Sequence, residues 1–249
     1  NAFSCRFYSM QGDAAPFVSL AVMDILEDSQ GRMWFATKEN GLMLLDRPNA
    51  PDARFVHRNN RLKNNYPPSV LLARCLYEDT YGNIWLGSNE GITVFSNDFS
   101  KPEDIKFFFY NSENTDLDNS CIYDIYQDKD GLMWFASFGG GLFKNRSSFY
   151  LGDTPDFISY NKENKKFPSD LVLSIQEDEN GFLWVVTEDA IVKFDKKKQV
   201  AEPFGKIRGL DHVGFSERAI VRCKSGEIVV GSSSGYYSFV PGAIEDKTY

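Results

Sequence analysis

The chain has 249 residues and a formal charge of −8 with no basic block, so its surface repels phosphate backbones and argues against a nucleic-acid partner. No apolar run approaches the roughly 18 residues needed to cross a bilayer, so no membrane contact is expected, and no segment reads as a secretory leader. Cys5, Cys75, Cys121 and Cys223 stand at irregular spacing without a C-x-x-C pair, which makes neither a zinc site nor a disulfide framework and leaves the compartment undecided.

Taken in chain order, residues 3–9 (FSCRFYS) read as an outer strand whose own sheet would lie upstream. At 21–28, AVMDILED is a short run of aliphatic residues bounded by turn residues, so it predicts a strand. The Asp28-Ser-Gln-Gly31 corner follows, with an acid able to bond turn amides and a glycine that tolerates a left-handed backbone. RMWFAT predicts the return strand and contains Trp34. A Lys-Glu-Asn-Gly corner leads to LMLLD, and the more polar ARFVHR completes a unit over 20–60.

The same order then recurs. Asp79, Gly82 and Trp85 mark a second unit over 70–112, Asp128, Gly131 and Trp134 a third over 120–162, and Asp178, Gly181 and Trp184 a fourth over 170–206. The Trp-to-Trp steps are 51, 49 and 50 residues, and these are all the tryptophans in the chain. The fourth unit has Ala190 where the others place a corner glycine. CKSGEIVVGS opens a last unit over 217–241, with Cys223 in the Asp slot, Val229 in the Trp slot and three strands rather than four.

A period near 50 residues signifies stacked supersecondary units. Four antiparallel strands per unit, with no helical periodicity, predict an all-β fold, a β-propeller fragment of about five four-stranded blades. Strands flanked by neighbouring blades are apolar on both faces, and one tryptophan per blade is expected to wedge between adjacent sheets. The strands sum to twenty. They make either an open arc of a larger propeller or a ring closed by the N-terminal strand, and the chain reads like an excised piece of something longer.

The acids carry little sign of chemistry. Asp-Lys-Asp-Gly and Asp-Glu-Asn-Gly lack the further oxygens and distal glutamate of a calcium loop, so no metal and no cofactor is expected. Glu27, Glu78 and Glu177 share one repeat slot, with Gln127 in the third unit. They read as hairpin and surface residues rather than a glycosidase pair. The two histidines, His57 on an outer strand and His212 in a loop, show no triad order. Gly139-Gly140-Gly141 precedes a strand, so it reads as a permissive turn and not a phosphate cradle.

Recognition is expected in the connections between blades, whose lengths and charges vary while the Asp-x-x-Gly hairpins stay uniform. The loop at 58–69 offers Arg58, Arg61, Asn64 and Tyr66, and the corners add Glu39, Asn89, Glu90 and Phe138. Tyr66 and Phe138 are expected as platforms for the flat apolar face of a sugar. His212, in the last connection, completes the ligand candidates.

Val22, Ile25, Glu27, Asp28, Gly31, Trp34, Thr37, Gly41 and Leu42, repeated as Ile122, Ile125, Asp128, Gly131, Trp134, Gly141 and Leu142, resemble the two-component-regulator propeller repeat. That repeat characterises the periplasmic sensor region of Bacteroidetes hybrid two-component histidine kinases. The resemblance implies a periplasmic, non-enzymatic piece of a receptor that detects oligosaccharides and regulates polysaccharide utilisation. It also implies an adjoining propeller and a β-sandwich domain, while the exposed edges of an open arc would invite pairing with a second copy, so a homodimer is expected as a further partner. A protein-docking scaffold without a small-molecule ligand is the alternative.

Overall fold

The computed structural model describes residues 21–50, 53–117, 119, 121–204 and 214–243. The expected strand at 3–9 and His212 lie outside them. The first sheet runs β1 (Val22–Glu27), β2 (Met33–Thr37), β3 (Gly41–Leu45) and β4 (Phe55–His57), and the second β5 (Ala73–Glu78), β6 (Asn83–Ser88), β7 (Ile92–Ser96) and β8 (Phe108–Tyr110). The third comprises β9 (Ile122–Gln127), β10 (Met133–Ser137), β11 (Gly141–Asn145) and β12 (Phe157–Tyr160). The fourth comprises β13 (Val172–Glu177), β14 (Leu183–Thr187), β15 (Ile191–Asp195) and β16 (Val200–Phe204). The fifth has three described strands, β17 (Phe215–Arg222), β18 (Ile228–Ser232) and β19 (Gly235–Phe239). These are five blades of meandering antiparallel strands, and the chain is all-β with only two short 3-10 turns among the described residues. The chain divides into two compact units, 1–109 and 110–249.

Each Asp-x-x-Gly corner is built by one carboxylate. Asp28 Oδ1 accepts from the backbone N–H of Gln30 at 3.0 Å and of Arg32 at 2.9 Å. Its Oδ2 accepts from Trp34 Nε1 at 2.8 Å. The indole bond recurs from Trp85 to Asp79 at 2.8 Å, from Trp134 to Asp128 at 2.7 Å and from Trp184 to Asp178 at 2.9 Å. Gly31, Gly82, Gly131 and Gly181 hold φ between 77° and 85°, as the corner requires. In the last blade Cys223 and Gly226 keep the backbone turn without the carboxylate.

The wedge is present where each unit can be followed. In the first unit Trp34 is fully buried against Leu76, Ile84 and Phe95 of the next blade, with the Phe95 ring centroid 4.9 Å away. In the second unit Trp134 packs against Ile175 and Phe194, and Trp184 against Phe215, Ile228 and Phe239. β6, β10 and β14 are buried along their whole length. β1 departs from the expected pattern. Ile25 is 54% exposed, whereas Ile175 in the same slot is 2% exposed because the preceding blade covers it.

A bulge recurs on the first strand of the first four blades, at Val22/Asp24, Ala73/Cys75, Val172/Ser174 and opposite Ala136/Ser137. These first strands are also the terminal strands of their sheets, so amides that their own ladders do not use face the neighbouring blade. Leu76 N–H donates to Asp24 Oδ2 at 2.7 Å, and Ile175 N–H donates to Asp124 Oδ2 at 2.9 Å. Blades are thus joined by polar clasps as well as by tryptophan.

The Ala190 corner is a second local departure. Ala190 is absent from the left-handed residues, whereas Gly41 and Gly141 in that slot have φ of 65° and 85°. Its amide donates to Thr187 Oγ1 at 3.0 Å, as the Gly91 amide does to Ser88 Oγ at 3.1 Å, so the corner keeps this bond without a glycine.

Candidate ligand surfaces

At the connecting-loop end, the predicted residues separate by environment. Tyr66 is a correction: it is 5% exposed, its ring meets Phe107 edge-on at 5.3 Å, and its hydroxyl accepts from Leu42 N–H at 3.1 Å. Burial drives its phenol well above the ordinary range, so it is a core residue and offers no platform to a sugar. The sequence could not show this, because the amide that captures the hydroxyl belongs to the neighbouring strand β3.

Arg58 is half-buried. Its Nη2 donates to the Pro68 carbonyl at 3.0 Å, while its Nη1 is buried without a partner. Arg61 is exposed and forms a two-point pair with Glu103, at 2.6 and 2.8 Å. Those bonds hold the Glu103 carboxyl down at about 2. Asn64 is exposed. At the corners, Asn89 accepts from Arg74 Nε at 2.5 Å, and Glu90 buries one unpartnered oxygen.

In the second unit Phe138 is 44% exposed and lies nearly parallel to Tyr123, with ring centroids 5.1 Å apart at 24°. Tyr123 is 7% exposed, so the pair presents one aromatic face to solvent on a rigid base. Leu171, bridged to Phe138, steadies the corner from the next blade.

The hairpin end of the second unit holds the densest charge. Here one member of the glutamate slot is corrected: Glu27 is exposed as expected, but Glu177 is only 2% exposed. Its Oε2 accepts from Lys129 N–H at 2.8 Å, in the hairpin of the preceding blade. Glu78 does the same to Ser29 N–H at 2.8 Å. The physical reason is a hairpin amide, one residue past each aspartate, that the hairpin itself does not bond. Lys196 closes the clasp with Glu177 at 2.6 Å, Asp128 at 2.9 Å and Asp130 at 3.2 Å. Burial alone would pull this ammonium down, but its bonds to Glu177 and Asp128 carry it well above the ordinary lysine range. Asn97 fills the equivalent slot in the first unit, bonding Ser29 Oγ at 2.9 Å and Glu78 Oε1 at 2.6 Å, while Arg32 covers Asp28 at 2.8 Å.

Two cavities open beside this clasp. One, of about 350 Å³, lies among Lys129, Glu179, Phe182, Lys196 and Lys198. The other, of about 360 Å³, lies where the first strands of the last three blades end, among Tyr126, Lys129, Gln176, Arg222 and Lys224. Sequence reasoning missed both, having assigned recognition to the opposite face. Among the described residues no cluster of His, Cys, Asp and Glu could hold a metal ion, and no helix is long and apolar enough to cross a membrane.

Antiparallel sheets wedged by tryptophan and clasped by carboxylates, repeated along the chain, define a β-propeller repeat protein. The repeats are those of the two component regulator propeller family, whose model matches residues 16–39, 67–90, 116–139 and 166–189. The fold is that of the extracellular domain assigned to hybrid two component system BT3049 of B. thetaiotaomicron, with a TM-score of 0.66 and 23% identity over 88% of this chain and 29% of that one. It is also that of the corresponding domain of BT4673 from the same organism, with a TM-score of 0.75 and 19% identity over 97% of this chain and 32% of that one. PorZ, a surface component of the type-IX secretion system of Porphyromonas gingivalis, matches with a TM-score of 0.64 and 15% identity over 95% of this chain and 35% of that one. The chain therefore spans about a third of the length of these structures. No curated protein sequence matches it.

Proposed function

We propose that the chain is part of the extracytoplasmic, periplasmic sensing region of a hybrid two-component kinase, and that it takes part in detecting oligosaccharides without catalysing a reaction. The observation that carries this reading is the regulator-propeller repeat, together with the match along most of the chain to extracellular domains of hybrid two component systems. In the second unit Phe138 on Tyr123 supplies the aromatic face a sugar ring favours; the first unit, taken by itself, offers Arg58, Arg61 and Asn64 as polar groups for hydroxyls. His212 remains a candidate from the sequence. The adjoining propeller and β-sandwich domain of such a receptor are the partners through which binding would act.

Calorimetric titration with a broad oligosaccharide panel tests the reading. Heat from at least one glycan, reduced about tenfold or more in affinity by Phe138→Ala, is expected. Silence across the panel would sink it. One observation favours a second reading, a protein-docking propeller: β1 exposes Val22, Met23 and Ile25 on one edge. Calorimetric silence combined with concentration-dependent mass lost in Ile25→Asp would select that reading.

A further inference from the structure

We propose that the cavity at the hairpin end of β9, β13 and β17 binds an anionic group, a carboxylate or sulfate, carried on a sugar-sized molecule. This inference rests on the oligosaccharide reading and narrows it to acidic saccharides.

The volume, about 360 Å³, falls within the ~300–1,000 Å³ typical of small-molecule sites. Its wall carries three cations, Lys129, Arg222 and Lys224, against one carboxylate, Glu177. Glu177 is bonded by Lys196 at 2.6 Å, an ammonium it shares with Asp128 and Asp130. The wall therefore keeps a net positive charge in a chain whose formal charge is −8. At physiological salt, fields fade over about 8 Å, so a bound group feels these cations and the adjoining Glu179 far more than the remote acids of the chain.

The donors are incompletely used. Lys129 Nζ donates to the carbonyls of Asp178 at 2.6 Å and Glu179 at 2.9 Å, and it forms no ion pair among the described residues. Arg222 buries its Nε without a partner. Its Nη2 reaches Glu179 only at 3.4 Å, and that glutamate side chain is 67% exposed. A planar guanidinium with a spare buried N–H matches the paired oxygens of a carboxylate or sulfate. Lys224 is exposed, with no ion pair among the described residues. Beside these cations lie the Tyr126 hydroxyl and the Gln176 amide, 3.4 Å apart, which suit the hydroxyls of the carrier. Three consecutive blades contribute, so occupancy ties their first strands together.

The test titrates the chain with glucuronic acid, glucose 6-sulfate, glucose and inorganic sulfate, following backbone amide NMR shifts in low salt. Shifts at Lys129, Gln176 and Arg222 are expected with both acidic sugars, with at least tenfold weaker binding of glucose. Arg222→Gln should weaken acidic-sugar binding about tenfold and Lys224→Gln about threefold, while Arg146→Gln, at an exposed surface pair with Asp156, leaves it unchanged. Lys224 is exposed, so its variant reads the site even if Arg222→Gln disturbs folding. Inorganic sulfate that binds as tightly as glucose 6-sulfate, and with the same dependence on Arg222, upholds the anion pocket but makes the free ion its ligand. Glucose binding equal to glucuronic acid, or indifference to both cavity substitutions, overturns the acidic-ligand inference and leaves the oligosaccharide reading standing. Failure of the wider glycan panel, with sulfate binding intact, would do the reverse.

Discussion

Asp178 and Trp184 are bonded side chain to side chain at 2.9 Å, while the same carboxylate holds the amides of Asn180 and Phe182. A single buried acid thus shapes the hairpin and aims the wedge that fills the space before the next blade. Asp178 is 1% exposed, and its bonds come from neutral N–H groups. Trp184→Phe should keep most of the packing but leave one carboxylate oxygen unsatisfied, at about 1–3 kcal/mol. Trp184→Ala adds a cavity and should cost about 3–5 kcal/mol. Urea unfolding monitored by circular dichroism checks the order. Equal costs for the two variants would remove the proposed role of the indole bond.

Lys196 is the sole ammonium among three carboxylates, with a side chain 9% exposed against 0% for Asp128 and 1% for Glu177. Lys196→Met strands both buried acids and is expected to destabilise by about 3–5 kcal/mol. The first unit solves the same problem with Asn97 and Arg32, whose counterparts in the second unit are Lys196 and Leu132. Lys196→Asn alone should be destabilising, and adding Leu132→Arg should recover a substantial part of the loss. A double variant no more stable than Lys196→Asn would refute the equivalence of the two clasps.

Glycine substitutions should split by position. Gly31 has φ 77° and nothing within 4 Å of where an added methyl would sit, so Gly31→Ala bears only the left-handed strain, roughly 1–2 kcal/mol. At Gly141, with φ 85°, the methyl would collide with the Tyr160 carbonyl, adding about 1–3 kcal/mol of overpacking. Thermal denaturation of both variants should show the larger drop for Gly141→Ala.

Glu103 gives a pH test in the first unit. Its hydrogen bonds from Arg61 lower the folded value to about 2 from an ordinary 4.5. A depressed carboxyl contributes stability above its unfolded value, and that contribution fades as pH falls from about 4.5 toward about 2. NMR titration of the Glu103 side chain should give a midpoint near the lower figure, and Arg61→Gln should return it toward the ordinary value. An unshifted midpoint in the wild type would mean the exposed pair does not persist in solution.

The repeat, the strand order within a blade and the tryptophan wedge were legible in the residues alone. All three are set by bonding and packing over short chain separations, and four near-identical segments announce them. The indole-to-carboxylate bond was within reach, since Asp and Trp stand six residues apart across the hairpins of the first four blades. Burial of Tyr66 and Glu177 was not, because each is decided by an amide on another strand or another blade that captures its polar group. The two cavities at the hairpin end were equally hidden. Uniform hairpins look inert one at a time, and only the stacking of consecutive blades brings Lys129, Arg222 and Lys224 around a common space. Local chemistry in the chain thus dictated the blade, while the geometry between blades decided which charged groups are locked together and which are left to meet a ligand.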